Sequence, residues 1–306
     1  MIHVFGHLSP DTDATGSALI WAWYINEHTG EDATAYVLGE LNSETRFVLN
    51  RFGVTTPELL PTLAPGSAVT IVDTNNPQEL PVNINELSLV QLIDHNKLVG
   101  GITTELPATI TIRPLACTAT VIFDTMGLEI SALPESIAGL MVSCILSDTL
   151  AFRSPTTTPH DKDVAEKLAA SLDIDLMGYA NEMFAAKSDV TMFSDSGLIT
   201  LDSKKYDVGD KNFRVSVIET TTPETILARK DGIIAAIKAC ILEESDVDDV
   251  LFFIVDIFRE EATVLTYSDL AKQVIRASFG VSIEGDTEVL PGILSRKKQI
   301  LPALKL

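Results

Sequence analysis

The chain has 306 residues, 46% of them hydrophobic, with 43 acidic against 22 basic side chains and a formal charge of −21. That is enough apolar material for one large or two ordinary cores, while so acidic a balance argues against a nucleic-acid backbone as the main partner. No apolar run approaches the roughly 18 residues of a membrane span, and the N-terminus has no charged segment followed by a signal core, so a soluble, cytoplasmic protein is expected. Cys117, Cys144 and Cys240 are odd in number and widely spaced, and are read as buried thiols with no disulfide framework or zinc ribbon.

In chain order, Ile2–Phe5, Ala33–Leu38, Ala68–Val72 and Leu89–Ile93 read as strands, separated by helical patterns at Ala14–His28 and Glu44–Phe52, the latter with Ser43 as N-cap. Strands alternating with helices, apolar on both faces, predict a doubly wound, mostly parallel α/β sheet. After Thr109–Ile112 the pattern turns helical: Ala116–Met126, Pro134–Ile145, and one long stretch from His160 to about Lys187. The Asp- and Ser-rich segment 188–196 reads as a linker. Beyond it, Leu198–Val208 and Phe213–Glu219 predict a hairpin around Gly209-Asp210, followed by a helix from about Glu224 to Glu244. Val250–Ile257, Thr263–Tyr267 and a helix at Ser268–Ser278 complete a smaller second α/β domain.

Acidic and imidazole side chains gather where the first-domain apolar runs end. The first strand leads into His7, Asp11 and Asp13, and Ala68–Val72 ends at Asp73. Leu89–Ile93 runs into Asp94-His95-Asn96, and Leu140–Leu146 into Ser147-Asp148-Thr149. Carboxyl ends of parallel strands share one edge, where ligands bind. Carboxylates brought that close repel unless cations sit among them. Six donors, His7, Asp11, Asp13, Asp73, His95 and Asp148, suffice for two ions if one carboxylate bridges, and a set rich in carboxylate without thiolate suits Mn2+, Co2+ or Mg2+. The first strand is not followed by Gly-x-Gly-x-x-Gly, which argues against a dinucleotide-binding dehydrogenase. His3, His28 and His160 are not expected to be ligands.

Together, GHLSPDTD (6–13), VDTNN (72–76), IDHNK (93–97), SDTLAFRSPT (147–156) and SRKKQ (295–299) closely resemble the manganese-dependent family II inorganic pyrophosphatases of the DHH phosphoesterase superfamily. The resemblance implies a DHH domain over 1–187, a DHHA2-type domain over 197–306, and hydrolysis of pyrophosphate to two orthophosphates at a two-metal site between them. Carried over by position, His7 and Asp11 would hold one Mn2+, Asp13, His95 and Asp148 the other, and Asp73 would bridge, with Co2+ an alternative metal and Mg2+ arriving with substrate. A water shared by the two ions would supply the hydroxide nucleophile. Lys204, Arg296 and Lys297 would clamp the phosphates. The resemblance also suggests a homodimer through the first domain.

One position departs from the family's Asp-His-His: here it is Asp94-His95-Asn96. Asn96 can donate a hydrogen bond but cannot serve as a general acid near neutral pH, which implies reduced turnover or an altered pH profile. Two other readings stay open: a DHH-superfamily phosphodiesterase or exonuclease acting on short oligonucleotides, and a weakly active, metal-dependent phosphate-binding protein.

Overall fold

The first apolar run, Ile2–Phe5, forms β1 near the middle of a six-stranded sheet whose order is β3-β2-β1-β4-β5-β6. The other strands are β2 (Ala33–Val37), β3 (Glu58–Leu59), β4 (Ala68–Val72), β5 (Ser88–Asp94) and β6 (Thr109–Ile112), and every pairing in the sheet is parallel. In this computed structural model, which describes residues 1–306, two units are distinct: Met1–Met183 and Phe184–Leu306. Val69, Thr70, Ile71 and Val72 are all buried, so β4 is covered on both faces, as the unbroken apolar pattern requires.

Helices α1 (Thr12–His28), α2 (Ser43–Arg51), α3 (Thr118–Met126), α4 (Glu135–Thr149), α5 (Pro159–Ser171) and α6 (Leu176–Lys187) follow, the division between units falling within α6. α1 and α4 pack closely because Gly16 leaves room: a Cβ there would stand 2.3 Å from the Cys144 sulfur. The N-cap of α2 is Asn42, whose side chain accepts from Thr45 N at 2.8 Å, one residue before the expected Ser43. The single helical stretch expected over 160–187 is two helices, α5 and α6. Asp173 adopts a left-handed conformation (φ 53°) after α5 and stops it, a backbone state that Asp tolerates better than most residues.

The second unit carries a mixed five-stranded sheet of order β11-β10-β9-β8-β7, in which β8 and β9 are parallel and the other pairs antiparallel. Its strands are β7 (Ser203–Val208), β8 (Lys211–Thr220), β9 (Asp249–Asp256), β10 (Glu261–Leu265) and β11 (Thr287–Pro291). The expected strand from Leu198 begins only at Ser203. Ser194 accepts from Gly197 N at 3.1 Å and caps a short helix, α7 (Asp195–Leu201), over the preceding residues. The helix expected over 224–244 is likewise two, α8 (Pro223–Leu227) and α9 (Lys230–Glu243), because Arg229 N closes a tight turn onto Ile226 O at 2.9 Å. α10 (Asp269–Phe279) completes the unit. Cys117 and Cys144 are buried, whereas Cys240 is only half-buried.

Candidate metal centre

Strand order reverses at β1, with β2 on one side and β4 on the other, and such a switch point opens a crevice at the strands' carboxyl ends. His7 lies two residues beyond β1 and Asp73 immediately beyond β4, so the two flank that point. His95 follows β5 directly. Asp11 is the N-cap of α1, accepting from Ala14 N at 2.9 Å, and Asp13 lies in the helix's first turn. Asp148 reaches this place from a helix and not from a strand end: Ser147, Asp148 and Thr149 form the last turn of α4, which runs four residues past the helix end expected at Ile145.

The six side chains meet in two groups. In His7, Asp11 and Asp73, and again in Asp13, His95 and Asp148, one donor atom per residue lies within 4.8 Å of the others. Asp73 joins the groups: one carboxylate oxygen stands 3.3 Å from His7 Nε2 and the other 3.3 Å from His95 Nε2. Asp11 Oδ2 is 3.5 Å from His7 Nε2, and Asp148 Oδ2 is 3.7 Å from His95 Nε2. Asp73 reaches both imidazoles from a left-handed backbone (φ 61°), pinned by its own N–H on Ile93 O at 3.0 Å and by Asn96 Nδ2 on its carbonyl at 3.1 Å.

Buried carboxylates need donors, and most of these come from far along the chain. Asp13 accepts from Ser17 Oγ at 2.8 Å and from Thr118 N and Ala119 N, the start of α3, at 2.6 and 3.1 Å. Thr118 Oγ1 also donates to Asp73 at 3.0 Å, so one residue braces both groups. Burial still pushes Asp13 up to about 6, with the nearby Asp73 charge adding to the shift. Burial would raise Asp73 and Asp11 too. With both imidazoles protonated, hydrogen bonds and charge from His7 and His95 outweigh it and hold Asp73 well below the usual carboxylate range, and the protonated His7 holds Asp11 low.

The donor chemistry fits divalent cations. His95 Nδ1 lies 3.1 Å from the Leu115 carbonyl, which can only accept, so the ring's N–H points there and a neutral ring presents a bare Nε2 to Asp73 and Asp148. A lone pair facing carboxylate oxygens is stable only with a proton or a metal ion among them, and this backbone-anchored tautomer is how metal-ligating histidines are commonly held. Carboxylates with two imidazoles suit Mn2+.

Sequence reasoning passed over Asp94 and Asn75. Asp94 is fully buried and accepts from His95 N, Asn96 N, Asn96 Nδ2 and Asn75 Nδ2 at 2.6 to 2.9 Å, fixing the turn that presents His95. An Asp that ends a strand before a polar pair is an Asx-turn signal, and it was there to be read. Asn96 turns its amide nitrogen to the Asp94 carboxylate and the Asp73 carbonyl.

In the second unit, Lys204 lies on β7. Arg296 and Lys297 lie in a wide helical turn in which Ile300 N bonds Ser295 O at 3.0 Å, a geometry frequent at functional sites. Arg296 Nη1 is held by Asp202 through its carboxylate at 2.7 Å and its carbonyl at 3.1 Å. Gln299 closes the turn, accepting from Leu294 N and Ser295 N and donating to Gly292 O at 2.6 Å.

Comparison with known proteins identifies the family. The DHH family, N-terminal domain, matches residues 1–145 and the DHHA2 domain matches residues 181–306. The chain is 40% identical, over its full length and 98% of the relative, to a protein of Deinococcus radiodurans named as a probable manganese-dependent inorganic pyrophosphatase. A Lactobacillus helveticus protein of the same name is 35% identical, over 98% of this chain and 96% of that one. A solved structure from Methanococcus jannaschii, assigned to the family II inorganic pyrophosphatases, superposes with a TM-score of 0.85 at 33% identity, covering 99% of this chain and 98% of that one. An exopolyphosphatase-related protein of Bacteroides fragilis, 14% identical with a TM-score of 0.50, shares the fold alone. The chain is thus a two-unit α/β protein of the DHH class. It belongs to the manganese-dependent, family II inorganic pyrophosphatases.

Proposed function

We propose that this chain hydrolyses inorganic pyrophosphate to two orthophosphates, with His7 and Asp11 holding one Mn2+, Asp13, His95 and Asp148 the other, and Asp73 shared. The observation that carries this is Asp73, whose two oxygens each face one imidazole at 3.3 Å. Co2+ is an alternative occupant, and Mg2+ enters with the substrate. Bound at these donors, such ions would activate water at neutral pH and neutralise phosphate charge. The chain itself supplies the fixed donors, the Asp94 turn that holds His95, and the Thr118 brace under Asp13 and Asp73. Lys204, Arg296 and Lys297 add the positive charge that a loose, anionic phosphoryl-transfer transition state needs.

The working partition is a DHH domain over 1–187, a linker over 188–196 and a DHHA2-type domain over 197–306, in a cytoplasmic homodimer formed through the first domain. Phosphate release from pyrophosphate is expected with Mn2+ or Co2+ and abolished by chelator. No release with any divalent metal would overturn the proposal, and cleavage of a dinucleotide in preference to pyrophosphate would favour a phosphodiesterase.

Asn96 supports a second reading, weak turnover with tight phosphate binding, because its amide nitrogen already donates within the turn and the side chain has no proton to transfer. Asn96→His is expected to raise kcat by about 10-fold or more and to shift its pH profile. An unchanged rate and profile would sink the idea.

A further inference from the structure

Glu44 belongs to none of the ligand groups, yet it is 1% exposed and joins the two helices that carry three of their carboxylates. It lies in the first turn of α2, where the helix N-terminus favours an anion. Its Oε1 accepts from Thr12 Oγ1 at 2.6 Å and from Ser147 Oγ at 2.5 Å. Thr12 is flanked in sequence by Asp11 and Asp13, and Ser147 precedes Asp148. Thr12 Oγ1 is also 3.1 Å from Thr45 Oγ1, so the hydroxyl is held from α2 on two sides.

We infer that Glu44 is a positioning residue for the metal centre, setting the spacing between the first turn of α1 and the last turn of α4. The inference rests on the proposed metal site. Thr12 and Ser147 are 135 residues apart in sequence (147 − 12), and one buried oxygen receives both hydroxyls. α1 and α4 also touch at Gly16 and at Cys144, whose Sγ donates to Thr12 O at 3.2 Å, but that contact lies one helical turn before Asp148. The shared acceptor ties the turn of Asp13 to the turn of Asp148, because both hydroxyls must stay within about 3 Å of the same atom. Outer partners that fix ligand geometry in this way change metal affinity by roughly 10–100-fold when removed.

The test is Mn2+ titration of the metal-stripped full chain, following free Mn2+ by electron paramagnetic resonance, with circular dichroism melting of the metal-free protein as the folding control. Glu44→Ala is expected to bind Mn2+ about 10–100-fold more weakly. Glu44→Gln, which keeps a carbonyl oxygen for both hydroxyls, is expected to recover affinity to within a few-fold of the parent. Ser147→Ala, which removes one arm only, is expected to weaken one Mn2+ and spare the other. Parental affinity in a folded Glu44→Ala overturns the inference. So does a Glu44→Gln as weak as Glu44→Ala, which would assign the effect to charge. If Glu44→Ala does not fold, Ser147→Ala decides: two parental affinities overturn the inference. A parent that binds two Mn2+ but hydrolyses no pyrophosphate would defeat the proposed reaction and leave this titration able to judge Glu44. A parent that binds no Mn2+ defeats both.

Discussion

The two units contain acidic clusters that solve the same electrostatic problem in opposite ways. In the first, Asp11, Asp13, Asp73 and Asp148 face imidazoles, hydroxyls and backbone amides, and burial leaves Asp13 pushed up to about 6. In the second, Glu244 meets the Arg214 guanidinium at 2.6 Å and the Lys205 ammonium at 2.9 Å. Burial alone would raise it, but those two cations bring it down to about 2. One cluster carries its countercharge in its own sequence, and the other has a donor set that asks for cations from solution. A perturbed carboxylate therefore points to a metal or catalytic role only once its partners are known.

The comparison is broken most severely by Asp73→Asn, which takes one charged oxygen from between the two imidazoles. Pyrophosphatase kcat/KM is expected to fall by more than about 100-fold, the scale for removing a pre-organised charge, with weaker Mn2+ binding at both groups in a titration. Full activity in this variant would mean that the two groups do not act as one site.

Adding Mn2+ sharpens the contrast, because only the first cluster is built to receive it. At 100 times the dissociation constant, stabilisation of about 2.7 kcal/mol is expected, read by calorimetry as a rise in melting temperature that chelator reverses. Glu244→Gln should leave that increment unchanged. No increment in the parent would remove the physical distinction between the clusters.

The smallest effect expected is in the second cluster. Glu244 has a folded value below its usual one, so its contribution is fully present above about pH 4.5 and is lost as pH falls through about 2. With its side chain 25% exposed, solvent screening reduces that contribution to about 2 kcal/mol. Glu244→Gln should therefore lower the denaturant midpoint at pH 7, and the gap to the parent should close between pH 4.5 and 2. A gap that persists at pH 2 would mean that packing, not charge, is what the substitution removed.

How much of this was legible in the sequence follows how local each feature is. β1 and β4 have the bounds their apolar runs predict, because a short β-branched run ended by polar residues is a signal within the run itself. Two-residue β3 and the edge strand β11 carry too little pattern to be read, and α7 depended on a cap at Ser194 within a stretch that reads as linker. The six donors were visible for the same local reason, since His7, Asp73 and His95 lie just beyond the ends of β1, β4 and β5, and Asp11 and Asp13 open the helix that follows β1.

The sequence by itself determined the donor inventory, the alternation of strands and helices, and the family motifs, all of which are written in stretches of a few residues. Only the tertiary structure decided that α3 offers its first amides to Asp13 from 105 residues away, and that Glu44 ties Thr12 to Ser147. The physical reason is that local propensity selects an element's type, whereas a buried polar atom takes its partner from whichever element packs beside it, and that is set by strand order and helix packing across the whole unit.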